Sequence, residues 1–165
     1  MKQLSIRSIS LLFVGLFLFT GCKTQLAPEY DKAIVEGLTK STQQLTYFFA
    51  TMDEGTTADS YTDRQTFYNT LIGNFDALSL QAKARPVPSN AATEKINKLL
   101  QAKGSDPLSG AYPSAFAFTQ ISETLRKMRQ TDQANGLKPL ALQAFKGQIL
   151  IFLDQAMTYE SFLKR

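Results

Sequence analysis

Few side chains in this 165-residue chain could do covalent chemistry, and their types narrow what it does. There is no histidine and a single cysteine, Cys22. The commonest metal ligand and the commonest general base near neutral pH are therefore missing, and zinc sites of the Cys/His kind are excluded. A nucleophile and its base would have to come from Ser, Thr, Lys, Asp, Glu or Tyr alone. The chain has no Gly-x-Ser-x-Gly elbow, no Ser-x-x-Lys pair and no phosphate-cradling glycine loop. "GLTKS", Gly37 to Ser41, ends like a phosphate loop but lacks its first glycine and falls inside a helical rhythm. Met52, Met128 and Met157 lie at helical spacing and read as core filling rather than haem ligands. Without histidine the Glu-x-x-His pattern of di-iron bundles cannot form. The expectation is a non-enzyme, with no catalytic residue, no metal and no cofactor.

Two groups of charged residues stand out. Arg64 falls on the apolar rhythm of its segment, with Asp31 and Asp132 at the stripe edges of theirs. An arginine so placed either forms an interhelical ion pair, reads an anionic ligand in a polar pocket, or sits at a bundle end and extends its head to water. The last is the plainer outcome. "LRKMRQ" places Arg126, Lys127 and Arg129 within four residues. They suit contact with anionic lipid headgroups, or a solvated helix face with Glu123 and Asp132 at pairing distance.

The position of Cys22 carries the strongest signal. Met1 to Ser8 holds Lys2 and Arg7 and no acid, and the apolar run Ile9 to Phe19 is broken only by Ser10 and Gly15. That is a positive n-region and an h-region, too short for the roughly 20 residues of a spanning helix. The run ends in Phe19-Thr20-Gly21-Cys22, which resembles the lipobox of bacterial lipoproteins: a Leu, a small residue and Gly or Ala before the cysteine. Phe19 stands where that pattern usually has Leu. The resemblance covers the first 22 residues and implies cleavage after Gly21. It also implies attachment of diacylglycerol and an acyl chain to Cys22, more than the two signals stable anchoring needs. Lys23, where Asp would imply inner-membrane retention, implies an outer-membrane, periplasm-facing protein, or the outer face of the plasma membrane in a monoderm. No second cysteine exists to bridge Cys22.

Loss of the leader removes Lys2 and Arg7, so the formal charge of +4 falls to about +2. A balance that small argues against nucleic acid as a partner. The expected organisation is a signal peptide over 1–21, a lipidated Cys and short tether over 22–27, and one domain over 28–165. The five tether residues "KTQLA" reach roughly 17 Å, keeping the body close to the bilayer.

The elements that must carry these residues are helical throughout. Ile34, Leu38, Ser41, Leu45, Phe48 and Met52 keep a 4, 3, 4, 3, 4 rhythm after Pro28, with Glu29 and Asp31 expected in the first turn. Asp59 to Arg85 repeats it up to "RPVPSN", whose prolines stop it. "SNAATEKINKLLQAK" predicts a shorter helix with Ile96, Leu99 and Leu100 inward and Ser89 or Asn90 as N-cap. Ser114 to Asn135 is the next, ending at Gly136. After Pro139, the line Leu142, Phe145, Ile149, Phe152, Ala156, Tyr159 and Leu163 predicts a last helix. Its flank "ILIFL" suggests burial on several sides.

The expected fold is therefore all-α: an up-and-down four-helix bundle with an extra short helix in the middle crossover. A coiled-coil dimer seamed by the last helix is the alternative. The expected work is protein interaction or assembly in the envelope, with a partner helix laid in a groove. Phe49, Phe67, Tyr112, Phe116 and Phe162, outside the main stripes, are the candidate surface aromatics. In size, anchor and helix content the chain is similar to the small helical pilotin lipoproteins, though no motif is shared. The competing expectation is a bundle enclosing a small apolar or anionic ligand read by Arg64.

Overall fold

The computed structural model describes residues 27 to 164, apart from 87, 89 and 105 to 111. Gly21 and Cys22 lie outside the described residues. Five helices are described, with no strand among those residues: α1 (Lys32–Ala50), α2 (Thr62–Ala84), α3 (Ala91–Ala102), α4 (Pro113–Asn135) and α5 (Pro139–Leu163). Helix α1 starts later than Pro28 because Asp31 is extended and caps it, its Oδ1 accepting from Ala33 N at 2.8 Å and Ile34 N at 3.4 Å. Asn90 does the same for α3, accepting from Ala92 N at 3.1 Å and Thr93 N at 3.0 Å. Helices α4 and α5 open on Pro113 and Pro139, whose missing N–H would have had no helical partner.

The four long helices form a bundle in which each packs on two others, in the order α1, α2, α4, α5. Cross-helix contacts fix the directions. Along α2 and α4 the paired positions run in opposite senses, Arg64 with Asp132, Asp76 with Ser122 and Ser79 with Ala115. Gln44 with Asn74 and Gly37 with Leu78 show the same for α1 and α2, as do Phe116 with Phe152 and Tyr112 with Tyr159 for α4 and α5. The bundle thus has a near end, where α1 and α4 begin and α2 and α5 finish, and a far end with the α1–α2 loop and the α4–α5 turn.

The core runs the length of the bundle, through Ile34, Phe48, Tyr68, Phe75, Phe118, Ile121, Met128 and Ile149, all without solvent access. Each such apolar side chain contributes about 1.5–3 kcal/mol by leaving water. Phe48 stacks on Phe67 and meets Tyr68 edge-on, with centroids 5.5 and 4.8 Å away.

Two expectations are corrected here. Helix α3 does not pack on any long helix: Leu99 is 64% exposed, and Ile96 and Leu100 are only half-buried. The four long helices already close the core, leaving this short apolar face outside it. In α5 the buried line is Leu142, Ile149, Leu153, Ala156 and Glu160. Leu150 and Ile151 point out of the bundle, at 48% and 68% exposure, because a helix touching two neighbours covers only part of its circumference. Phe145, Phe152 and Tyr159 border the core as partly buried residues.

At the far end the two connections lie against each other. Thr56 N donates to Leu137 O at 2.8 Å, and Leu137 N donates to Thr56 Oγ1 at 2.8 Å. The approach depends on Gly136, which has φ +70° and whose missing Cβ would collide with Thr56 O. Gly136→Ala should lower the unfolding free energy by more than about 2 kcal/mol, left-handed strain and collision acting together. Gly147→Ala, in α5 with open space around it, should instead raise it by roughly 0.5–1 kcal/mol. Urea unfolding of the two variants checks both signs.

Candidate functional site

Arg64 does not extend its head to water. Its Nε donates to Asp132 Oδ2 and its Nη2 to Asp132 Oδ1, both at 2.8 Å. Nη1 donates to Ser60 Oγ at 3.0 Å, and Nη2 also reaches Thr57 O at 3.0 Å. Asp132, on the last turn of α4, is wholly buried. Its remaining acceptor capacity is filled by Tyr68 Oη, 3.1 Å from Oδ2, and by a short bond from Thr56 Oγ1 to Oδ1. A carboxylate offers about four lone-pair positions, and all four are used. The hydrogen bonds to Asp132 hold the Arg64 guanidinium above its ordinary pKa against the opposing effect of burial. Burial first, and the Asp132 charge second, push the Tyr68 hydroxyl far above the usual tyrosine value. Four of the five guanidinium N–H groups of Arg64 are thus committed within the protein.

A second buried pair closes the near end. Arg85, just past α2, donates through Nη1 to Glu160 Oε2 at 3.1 Å and through Nη2 to Oε1 at 2.5 Å. Nη2 also reaches Ser114 Oγ at 3.0 Å, and the guanidinium lies 5.5 Å from the Tyr112 ring centre. Arg85 and Glu160 are 8% and 1% exposed, and Arg85 Nε is buried with no hydrogen-bond partner among the described residues. Tyr112 Oη donates to Pro86 O at 2.7 Å. Sequence reasoning missed this pair. Its signal was the spacing of Glu160 after Ile149, Leu153 and Ala156, hidden because the stripe of α5 was placed through Phe152 and Tyr159.

The cationic run on α4 is committed sideways. Arg126 pairs with Asp76 of α2, whose other oxygen accepts from Ser122 Oγ at 2.5 Å, and Arg129 Nη1 donates to Asn69 Oδ1 at 2.7 Å. Lys127 is exposed. The partners are thus not Glu123 and Asp132. Glu123 accepts from Gln120, and Asp132 is held by Arg64. Of the candidate aromatics, Phe49 and Tyr112 belong to the core, whereas Phe67, Phe116 and Phe162 are exposed. Met52 and Met128 are buried filling, and Met157 is 39% exposed.

What remains open to a partner is surface. Helix α5 exposes Leu140, Leu150, Ile151, Met157 and Phe162, and Phe116 of α4 is exposed beside Phe152 on the α4 flank of the helix. Its only fully exposed charge is Asp154, since Glu160 is buried and Lys146 lies over the Phe49 ring at 5.8 Å. A smaller groove of about 470 Å³ runs between α1 and α2, lined by Gln44, Tyr47, Phe67 and Leu71 among others. Among the described residues there is no cluster able to hold a metal ion, and no helix long and apolar enough to cross a membrane. No protein-family model matches the chain, and no curated protein or solved structure is found to be similar to it.

Removing one member of the far-end cluster should be costly. Asp132→Ala strands Arg64 and Tyr68 and is expected to lose about 3–5 kcal/mol in urea unfolding. The tyrosine sets an alkaline limit: because its folded pKa is raised, its contribution is complete below about pH 10 and is lost as pH rises beyond it. Tyr68→Phe should therefore flatten the fall in stability above pH 10, leaving only the smaller contributions of Tyr112 and Tyr159, whose values burial also raises.

Proposed function

We propose that this chain is a lipid-anchored envelope lipoprotein, held by Cys22 and facing the periplasm from the outer membrane. In this reading it is an interaction or assembly factor that binds another envelope protein through the outer face of α5. The observation that carries it is the set of exposed apolar side chains on α5, Leu140, Leu150, Ile151 and Met157 with Phe162 near its end, among which Asp154 is the single fully exposed charge. Large apolar side chains exposed together on one helix mark interaction sites more often than the same residues scattered singly over a surface. An amphipathic helix of the partner, with apolar residues at i, i+3, i+4 and i+7, fits such a face.

The ligand-binding alternative loses its recognition group. Arg64, which would read an acidic head, spends four of its five N–H donors on Asp132, Ser60 and Thr57. A nucleic-acid partner is disfavoured by the small net charge and by the pairing of Arg126 with Asp76.

Mild crosslinking of the anchored protein in its own cells, followed by mass spectrometry, tests the reading. One or two envelope proteins should be captured with the wild type and lost with Ile151→Glu, whose thermal midpoint should stay within a few degrees because residue 151 is on the surface. Cys22→Ala should leave the membrane fraction and lose the same captures. Recovery of the same proteins with Ile151→Glu, or of none with the wild type, contradicts the proposal.

A further inference from the structure

Helix α3 is amphipathic, capped, and packed on none of the long helices. Lys95, Leu99 and Lys103 follow one another at intervals of four, so they form a single outward row with the apolar side chain between two ammonium groups. Lys98 adjoins the row, and Ile96 and Leu100 flank it, half-exposed. Thr93, on a different side of the helix from Leu99, is buried. Against three lysines the segment has one acid, Glu94.

The position of α3 says what this row meets. It joins the end of α2 to the start of α4, and both lie at the near end, where α1 begins directly after the tether. From Cys22 to Asp31 the chain can reach no more than about 30 Å. The exposed charges lean the same way along the bundle. Lys32, Lys83 and Lys164 join the α3 lysines at the near end, outnumbering Glu29, Glu36 and Glu94, whereas Asp53, Glu54, Asp59 and Asp63 outnumber Lys138 at the far end.

We propose that α3 is a second, interfacial membrane contact: Leu99 enters the headgroup and acyl boundary of the bilayer, with Lys95, Lys98 and Lys103 on anionic headgroups around it. The inference rests on the anchored reading for its geometry, and it assigns the bilayer contact to α3 rather than to Arg126, Lys127 and Arg129. Those residues begin 13 positions into α4, about 20 Å along its axis from the near end.

Cys22 is the only cysteine, so in the anchored protein Leu99→Cys provides a unique thiol for an environment-sensitive fluorophore. In vesicles of phosphatidylcholine and phosphatidylglycerol, the label at 99 should shift to the blue and be quenched by acyl-chain bromines. A label at Ala134→Cys, exposed at the far end, should remain aqueous. In the Cys22→Ser background, binding of the labelled chain to the same vesicles should fall by at least about tenfold with Lys95→Glu and Lys98→Glu together. An aqueous label at 99 in the anchored protein, or equal quenching at 99 and 134, overturns the proposal. Intact mass of the wild type reports the anchor separately. If Cys22 carries no lipid while the residue 99 label in the Cys22→Ser chain still inserts into added vesicles, the anchored reading fails and the role of α3 stands.

Discussion

Asp132 is a carboxylate with no access to water, and the far end of the bundle is arranged around supplying what water would have given it. Arg64 meets it side-on, Tyr68 and Thr56 fill its remaining lone pairs, and the two serine and backbone contacts of Arg64 draw in the α1–α2 loop. Burying an ion pair is not by itself stabilising, since desolvation offsets much of the attraction. Its effect is on register. Only one alignment of α2 against α4 completes every bond, and the same Thr56 that reaches Asp132 also accepts from Leu137. Helix pairing, loop closure and the tight turn at Gly136 are thereby linked.

The opposite end uses the same device with a looser finish. Arg85 and Glu160 tie the end of α2 to the end of α5, and Ser114 brings in the start of α4, yet Arg85 Nε has no hydrogen-bond partner among the described residues. Between the ends the core is aliphatic and aromatic, and it permits sliding more readily than the polar clusters do. The two pairs therefore act as end stops for a bundle whose sides differ in character. One side shows the exposed apolar residues of α5, and the near end carries the lysines of α3.

Much of the fold was legible because its periods are long. Ile34 through Met52, the run from Tyr61 to Ala82, and the prolines at 113 and 139 mark helices by spacing and by breaks, and those signals need no tertiary knowledge. The pairing of Arg64 was readable only as a choice, since sequence lists Asp31 and Asp132 alike as candidates and cannot show that the first is consumed as an N-cap. In α5 the line was drawn along one edge of the buried stripe, sharing Leu142, Ile149 and Ala156 with it, because almost every position from Ile149 to Leu153 is apolar and a stripe cannot be phased where nothing contrasts with it. Glu160 held the missing phase information, but a lone acid near a C-terminus reads as solvent-exposed. The outward turn of Leu99 was likewise hidden, because amphipathicity says that a face will be covered and not by what.

These features make the molecule polar along its axis, with tether, basic crossover and Arg85 at one end and the Asp132 clasp and exposed acids at the other. Energy transfer from a donor on the anchored protein to acceptor lipids tests that orientation most directly, with the donor placed in turn at Lys164→Cys and Asp59→Cys. A 23-residue α4 sets the axial separation at about 35 Å. The account predicts strong transfer from residue 164 and transfer from residue 59 weakened in keeping with that distance. Equal transfer from both sites would mean that the bundle lies flat on the bilayer or has no fixed orientation, and would contradict it.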